Sequence, residues 1–82
     1  METEKELVRQ TEKMLGDIKK KRKKLKLVDK SKESIVKNLD AYISDTQHFI
    51  DKKDIIRAYE AVVYAWGILE TMEHAGIIEL YD

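Results

Sequence analysis

Length, composition and charge narrow the kind of protein that this sequence encodes. Its 82 residues are enough for one domain, and the absence of cysteine excludes disulfides and thiolate metal sites. Proline is also absent and glycine occurs only three times, which favours a few long helices over many short strands. No apolar run approaches the roughly 18 residues of a membrane span, and the first residues lack the apolar stretch of a signal peptide. We therefore expect a cytoplasmic protein with no membrane partner.

The charges are segregated along the chain although the net charge is zero. Residues 1–41 contain thirteen Lys and Arg against eight Asp and Glu, and residues 42–82 contain three against eight. The first half therefore carries a charge of +5 and the second half −5. Because a neutral total hides this dipole, the two halves are considered separately in any argument about partners.

Apolar residues recur in three segments with the period of an amphipathic helix. We predict helices over about residues 4–26, 31–52 and 55–75 within a single domain that spans residues 1–82. The apolar stripe of the first helix weakens after Ile18, so this helix is expected to leave the core there. Asp29 or Ser31 is the predicted N-cap of the second helix, and Asp54 that of the third. The apolar tail, residues 77–82, is too short to form an element and is expected to fold over an open end of the bundle.

The third helix differs from the other two in the width of its apolar surface. One stripe holds large residues and a second holds smaller ones, and with Ile56 and Val63 added the apolar arc exceeds about 200° of the helix. The large stripe is Ile55, Tyr59, Val62, Trp66 and Leu69, and the small stripe is Ala58, Ala61, Ala65, Ile68 and Met72. Two stripes imply two partner helices. The predicted fold is therefore an all-α, antiparallel three-helix bundle with the third helix at its centre.

The strongest local signal is a basic run at residues 19–26, which holds seven cations in eight positions. Its cations are Lys19, Lys20, Lys21, Arg22, Lys23, Lys24 and Lys26. Such a cluster is costly unless it is solvated or matched by anions, and a nucleic-acid backbone supplies anions. The run contains no aromatic residue that could stack on a base. A solvated helix end, or pairing with the acidic second half of the chain, explains the run equally simply.

The water-facing side of the third helix is a second candidate surface. It brings together Ile56, Glu60, Val63, Tyr64, Gly67 and Thr71. A glycine in a helix interior costs on the order of 1 kcal/mol relative to alanine, and it allows another backbone to approach closely. These six residues are the predicted contacts of a partner helix. The alternative is that Gly67 is a tolerated small residue beside Trp66.

Catalytic and metal-binding signals are missing from the sequence. His48 and His74 each have carboxylates nearby in sequence, but a metal site needs three or four convergent ligands. There is no glycine-rich phosphate loop and no nucleophile motif, and a bundle of this size leaves little room for a substrate cavity. We predict no enzyme activity, no metal, no cofactor and no small-molecule substrate.

The segment from Tyr42 to Glu70 resembles a known family. Its residues Tyr42-Ile43-Ser44-Asp45, Phe49, Asp54 and Arg57-Ala58-Tyr59-Glu60-Ala61-Val62-Val63-Tyr64-Ala65-Trp66-Gly67-Ile68-Leu69-Glu70 are similar to the archaeal family catalogued as domain of unknown function 357. The resemblance covers most of the chain and is strongest over residues 42–70. It implies a compact helical bundle of spectrin-repeat-like shape, and it implies no activity and no site residue.

Two functional hypotheses follow from these features. The first is a non-enzymatic protein-interaction module, whose partner is another protein or a second copy that forms a homodimer. The second is an accessory nucleic-acid-binding domain that contacts an RNA or DNA backbone through the basic run. The wide apolar surface of the third helix favours the first hypothesis.

Overall fold

Three helices and one small antiparallel sheet make up the fold. The computed structural model describes residues 2–81 of the chain. In chain order the elements are α1 (Glu2–Lys23), β1 (Leu25–Leu27), a 3₁₀ turn (Lys30–Lys32), α2 (Glu33–Asp51), α3 (Ile55–His74) and β2 (Ile78–Leu80). The predicted all-α three-helix bundle is confirmed.

Helix α3 is the central element because its contacts with α1 and with α2 are each more extensive than the contact between α1 and α2. Its buried side chains are mostly small or medium in size, which lets the neighbouring helices approach closely. They are Ala58, Ala61, Val62, Ala65, Leu69 and Met72. Leu15 and Ile18 from α1 and Val36 and Leu39 from α2 complete the core around them. No residue of α1 beyond Ile18 is buried, as the weakening of its stripe predicted.

Two threonines lie fully buried within the apolar stripes. Thr11 donates its hydroxyl hydrogen to the carbonyl oxygen of Leu7 at 2.7 Å, and Thr46 donates to that of Tyr42 at 2.8 Å. Each hydroxyl therefore has its partner one helical turn back, and no desolvated donor is left unpaired.

The two aromatic residues of the large stripe on α3 differ in their burial. Trp66 packs against the core, and its indole N–H donates to the carbonyl oxygen of Met14 at 3.1 Å. Tyr59, which the stripe pattern also assigned to the core, keeps 37% of its surface exposed near the start of α1. It lies at the edge of the core rather than within it.

The first helix ends earlier than its predicted limit at residue 26. Helix α1 stops at Lys23, and residues Leu25, Lys26 and Leu27 form strand β1, with the two leucines half-buried and Lys26 exposed. Leu25 lies seven residues after Ile18, which is a helical spacing, and the prediction therefore extended the first helix too far. The apolar–charged–apolar order of the three residues has the period of two that a strand requires.

The tail is an element of structure, which corrects the expectation that it forms none. Residues Ile78 to Leu80 form β2, which pairs antiparallel with β1 so that Leu25 faces Leu80 and Leu27 faces Ile78. Lys26 and Glu79 occupy the central pair, where opposite charges stabilise the sheet. Ile78 is only 1% exposed and belongs to the core.

A tight reversal after α3 directs the tail back toward β1. Gly76 adopts a positive φ of 73°, its N–H donates to the carbonyl oxygen of Glu73, and the N–H of Ile77 donates to that of Met72. These two hydrogen bonds define the Schellman motif that glycine at this position predicts. The carbonyl oxygen of Ile77 then accepts from the N–H groups of both Val28 and Asp29, which joins the two connections.

Side-chain caps set the starts of the 3₁₀ turn and of α3, whereas α2 begins after Lys32 without a side-chain cap, so the predicted cap of α2 by Asp29 or Ser31 is wrong. Asp29 accepts hydrogen bonds from the backbone N–H of Ser31 at 3.1 Å and from its hydroxyl at 2.6 Å. The hydroxyl bond lowers the pKa of the Asp29 carboxyl. Asp54 accepts from the backbone N–H of Arg57 at 3.2 Å and so caps α3 as predicted.

Candidate functional site

The six predicted partner-helix contacts share one exposed side of α3, which we call the α3 face. It consists of Ile56, Glu60, Val63, Tyr64, Gly67 and Thr71, and each of these residues is exposed. Ile56 is 67% exposed, Val63 44% and Tyr64 62%, which are high values for apolar and aromatic side chains. Exposed apolar residues gathered on one side of a helix are typical of an interaction surface.

A groove of about 430 Å³ runs along the C-terminal half of the α3 face. Val63, Tyr64, Gly67 and Thr71 form one wall, and Ile56 and Glu60 lie outside it toward the start of the helix. The rest of the lining is apolar and comes from α2, from the buried side of α3 and from the segment after it: Ile35, Ile68, Met72 and Ile77. We call this feature the apolar groove.

Local packing makes the apolar groove an open and ordered surface. The ring of Tyr64 stacks on that of Tyr42, with centroids 5.5 Å apart and planes 13° from parallel. Such stacking restrains the Tyr64 ring. A Cβ atom placed on Gly67 would meet no atom within 4 Å, so the glycine leaves empty space above the helix backbone.

The basic run is divided by the fold into side chains with different surroundings. Two of its members contact α2. Arg22 donates to both carboxylate oxygens of Asp40, at 2.5 and 3.0 Å, and Lys19 donates to the amide oxygen of Gln47 at 3.3 Å. The hydrogen bond to Asp40 raises the pKa of Arg22 above its ordinary value. These two cations therefore connect helices.

Lys20, Lys21 and Lys24 form a second group, which lines a concave surface at the end of α1. This basic cleft has a volume of about 280 Å³, and its lining is completed by Glu73, Leu80 and Tyr81. Lys23 is exposed, and Lys26 lies on β1 opposite Glu79. The cations of the run thus do not form one uniform surface.

Tyr81 is a component of the basic cleft that the sequence reading missed. The pairing of β2 with β1 brings it to the lysines, and its backbone N–H donates to the carbonyl oxygen of Lys24 at 3.1 Å. Its side chain is 57% exposed. The alternation shared by Leu25-Lys26-Leu27 and Ile78-Glu79-Leu80 was the available signal, but three residues are fewer than a strand prediction requires.

Within residues 2–81, no three His, Asp or Glu side chains come close enough together to hold a metal ion. His48 is exposed and meets the ring of Phe49 edge-on at 5.4 Å, and His74 is exposed at the end of α3. In the same part of the chain, no helix is long and apolar enough to cross a membrane.

Fold and surfaces together define a small three-helix bundle with an apolar groove on one side and a basic cleft at one end. The family model described as "Protein of unknown function (DUF357)" matches residues 7–78. The chain therefore belongs to the DUF357 family, which confirms the resemblance in its sequence. The function of that family is unknown.

A solved structure of the same family supports the fold. The chain is similar to a crystal structure of a DUF357 protein from Archaeoglobus fulgidus, with 37% sequence identity and a TM-score of 0.87. The likeness covers 96% of this chain and 99% of the other. No curated protein matches the chain.

Proposed function

We propose that this protein is a non-enzymatic interaction module that pairs with a second copy of itself through the α3 face. The observation that carries the proposal is the position of an apolar groove directly beside protruding apolar side chains on the same helix. The groove lining contains no carboxylate, histidine or lysine, which are the usual acid–base groups of catalysis. The cytoplasm is the compartment we propose for this pairing.

The shape of the α3 face is self-complementary. Ile56 protrudes from the N-terminal half of the helix, whereas Gly67 and Thr71 line the groove in the C-terminal half. Two α3 helices that meet antiparallel place each protruding half over the groove of the other copy. The same contact then forms twice, as a twofold symmetric interface requires.

The spacing of the face residues gives the register of this pairing. Positions 56, 60, 63, 64, 67 and 71 are separated by steps of four, three, one, three and four, a series that reads the same in both directions. A twofold axis between Val63 and Tyr64 therefore places Ile56 opposite Thr71 and Glu60 opposite Gly67. In both of these pairs a longer side chain faces a shorter one, which is what close helix packing needs.

Charge also favours the antiparallel arrangement. Residues 51–57, around the start of α3, contain Lys52, Lys53 and Arg57 against Asp51 and Asp54, a net charge of +1, whereas residues 68–81 contain three Glu and no Lys or Arg. Antiparallel pairing brings the basic end of one α3 beside the acidic end of the other. Parallel pairing would place like charges together, and repulsion of this kind selects against wrong arrangements.

Self-association is tested by sedimentation velocity over a wide range of concentrations. A one-helix interface is small, so we expect a dissociation constant on the order of 10 µM, with monomer below and dimer well above it. A protein that remains monomeric at about 1 mM would contradict pairing with a second copy. The partner of the α3 face would then be a different protein.

Gly67→Gln tests whether the space above the glycine is used by the second copy. Because the position is open in the monomer, glutamine should raise the free energy of unfolding by about 0.5 kcal/mol through its better helix propensity. It should nevertheless weaken the dimer at least about tenfold, since the added side chain meets Glu60 of the second copy. Urea unfolding of the dilute monomer and sedimentation of the concentrated protein measure the two effects.

Gly16→Gln is the matched control for that substitution. Gly16 is also an exposed helical glycine with no atom within 4 Å of an added Cβ, but it lies on α1. We expect the same gain in stability with no change in self-association. If the two variants behave alike in sedimentation, Gly67 is merely a tolerated small residue.

A further inference from the structure

We propose that the basic cleft is a binding site for single-stranded nucleic acid, with its lysines contacting phosphates and Tyr81 stacking on a base. The site is separate from the proposed dimer interface, because none of the six residues of the α3 face lines the cleft. The inference therefore stands or fails independently of self-association.

The first supporting observation is that three lysine residues line one concave surface. Lys20 and Lys21 are adjacent on the last turns of α1, and Lys24 follows in the turn before β1. In the part of the chain that the structure describes, none of their ammonium nitrogens lies within 4 Å of a carboxylate oxygen. By contrast, Arg22 is held by Asp40 and connects two helices. The cleft lysines thus present a local positive field to an anionic ligand.

The second observation is an exposed aromatic residue whose backbone is held beside those lysines. Tyr81 follows β2 directly, and its backbone hydrogen bond to Lys24 ties it to the strand pair. Lysines that follow a phosphate backbone, together with an aromatic ring on which a base stacks, are the features that single-strand-binding proteins use. A duplex would keep its bases stacked on each other and leave the ring unused. The combination therefore favours a single strand.

Glu73 explains why a nucleic acid fits the cleft better than an isolated phosphate group. Glu73 lines the same cleft as the lysines, and its carboxylate would repel a phosphate placed against it. A carboxylate accepts hydrogen bonds, however, and the exocyclic amino group of cytosine donates them. A nucleotide satisfies both sides of the cleft, with phosphate toward the lysines and the base edge toward Glu73.

Fluorescence anisotropy with labelled 12-nucleotide oligocytidine, as RNA and as DNA, tests this proposal in the full-length protein. We expect binding at low salt, with an affinity that falls by a log–log slope of about −2 if three phosphates are contacted. We expect RNA and DNA both to bind, because the lysines contact phosphates and the ring contacts a base, and both nucleic acids contain these groups. Absence of binding at low salt would overturn the proposal.

Two triple variants distinguish binding at the cleft from a general effect of positive charge. Changing Lys20, Lys21 and Lys24 to glutamine should weaken binding at least about tenfold. The control changes three other exposed lysines, Lys30, Lys32 and Lys37, to glutamine and so alters the net charge equally. The control should lose less than about threefold in affinity, because none of its three lysines lines the cleft. Equal losses in the two variants would refute a localised site.

Variants at Tyr81 test the stacking contact. Tyr81→Ala should weaken binding about 5- to 20-fold, whereas Tyr81→Phe should stay within about twofold because it keeps the ring. Duplex DNA of matched length should bind more weakly than the single strand and should be insensitive to Tyr81→Ala. If duplex and single strand bind equally, or if anionic lipid vesicles bind in their place, the proposal is wrong.

Discussion

Replacing Ile78 with alanine is expected to lower the free energy of unfolding by about 3 kcal/mol, because it removes a fully buried side chain and leaves a cavity. Ile78 is 1% exposed and packs in the same cluster as residues from all three helices. A domain of this size has a total stability of only about 5–10 kcal/mol, so the loss is large. Urea unfolding followed by the fluorescence of Trp66, the single tryptophan, measures it.

The neighbouring Glu79→Ala variant is the control for the Ile78 prediction. Glu79 lies on the same strand but is exposed, so its removal should cost less than about 1 kcal/mol through the lost pair with Lys26. A similar small loss for Ile78→Ala would mean that the tail contributes little to the folded core. Strand β2 would then lie against the bundle without stabilising it.

Replacing Val63 with glutamate is expected to raise the dissociation constant of the dimer at least about 100-fold. Val63 lies next to the proposed twofold axis, so each substituted dimer buries two carboxylates against apolar surface, at a cost of more than about 2.8 kcal/mol. The monomer should tolerate the change, because Val63 is already 44% exposed. Sedimentation velocity compares the variant with the wild type.

Ser44→Glu adds the same charge to an exposed position of α2 and serves as the control for Val63→Glu. It should leave self-association within about twofold of the wild type, because an exposed charge away from an interface contributes little. If Val63→Glu also leaves the dimer unchanged, the α3 face is not the dimer interface.

Helical periodicity in the sequence was sufficient to predict the three helices and the central place of α3. A wide arc of apolar residues on one helix requires two neighbours, and the structure places α1 and α2 there. The buried threonines Thr11 and Thr46 lie at helical spacing from the core residues Leu15 and Leu39. These features depend on local spacing, which a single sequence displays directly.

The strand pair was missed because three residues are too few for a strand signal to compete with a helical one. Leu25 continued the stripe of α1, and the partner segment lies more than fifty residues later in the chain. The composition of the basic cleft depends on this pairing. Tyr81 could be placed beside Lys24 only after the two strands were known to be neighbours.

Sequence reasoning also defined the α3 face but not the groove beside it. The six residues of the face follow from helical spacing on one element. The opposite walls come from Ile35 on α2 and Ile77 after α3, so they depend on how the helices pack. In the same way, the pair between Arg22 and Asp40 could not be inferred from spacing, because it joins two helices.

Disulfide cross-linking between single-cysteine variants tests the antiparallel pairing of α3 most directly. The chain has no cysteine, and positions 56 and 71 are exposed, so Ile56→Cys and Thr71→Cys each introduce one accessible thiol. Two cysteines form a disulfide readily only when their Cα atoms lie within about 7 Å. The two variants, one of them mass-tagged, are mixed in equal amounts and oxidised mildly. Antiparallel pairing predicts that the mixed dimer, linked from position 56 to position 71, forms in clear excess over dimers of either variant with itself. Predominant 71-to-71 or 56-to-56 dimers, or no cross-link above the level seen with Val63→Glu added, would contradict it.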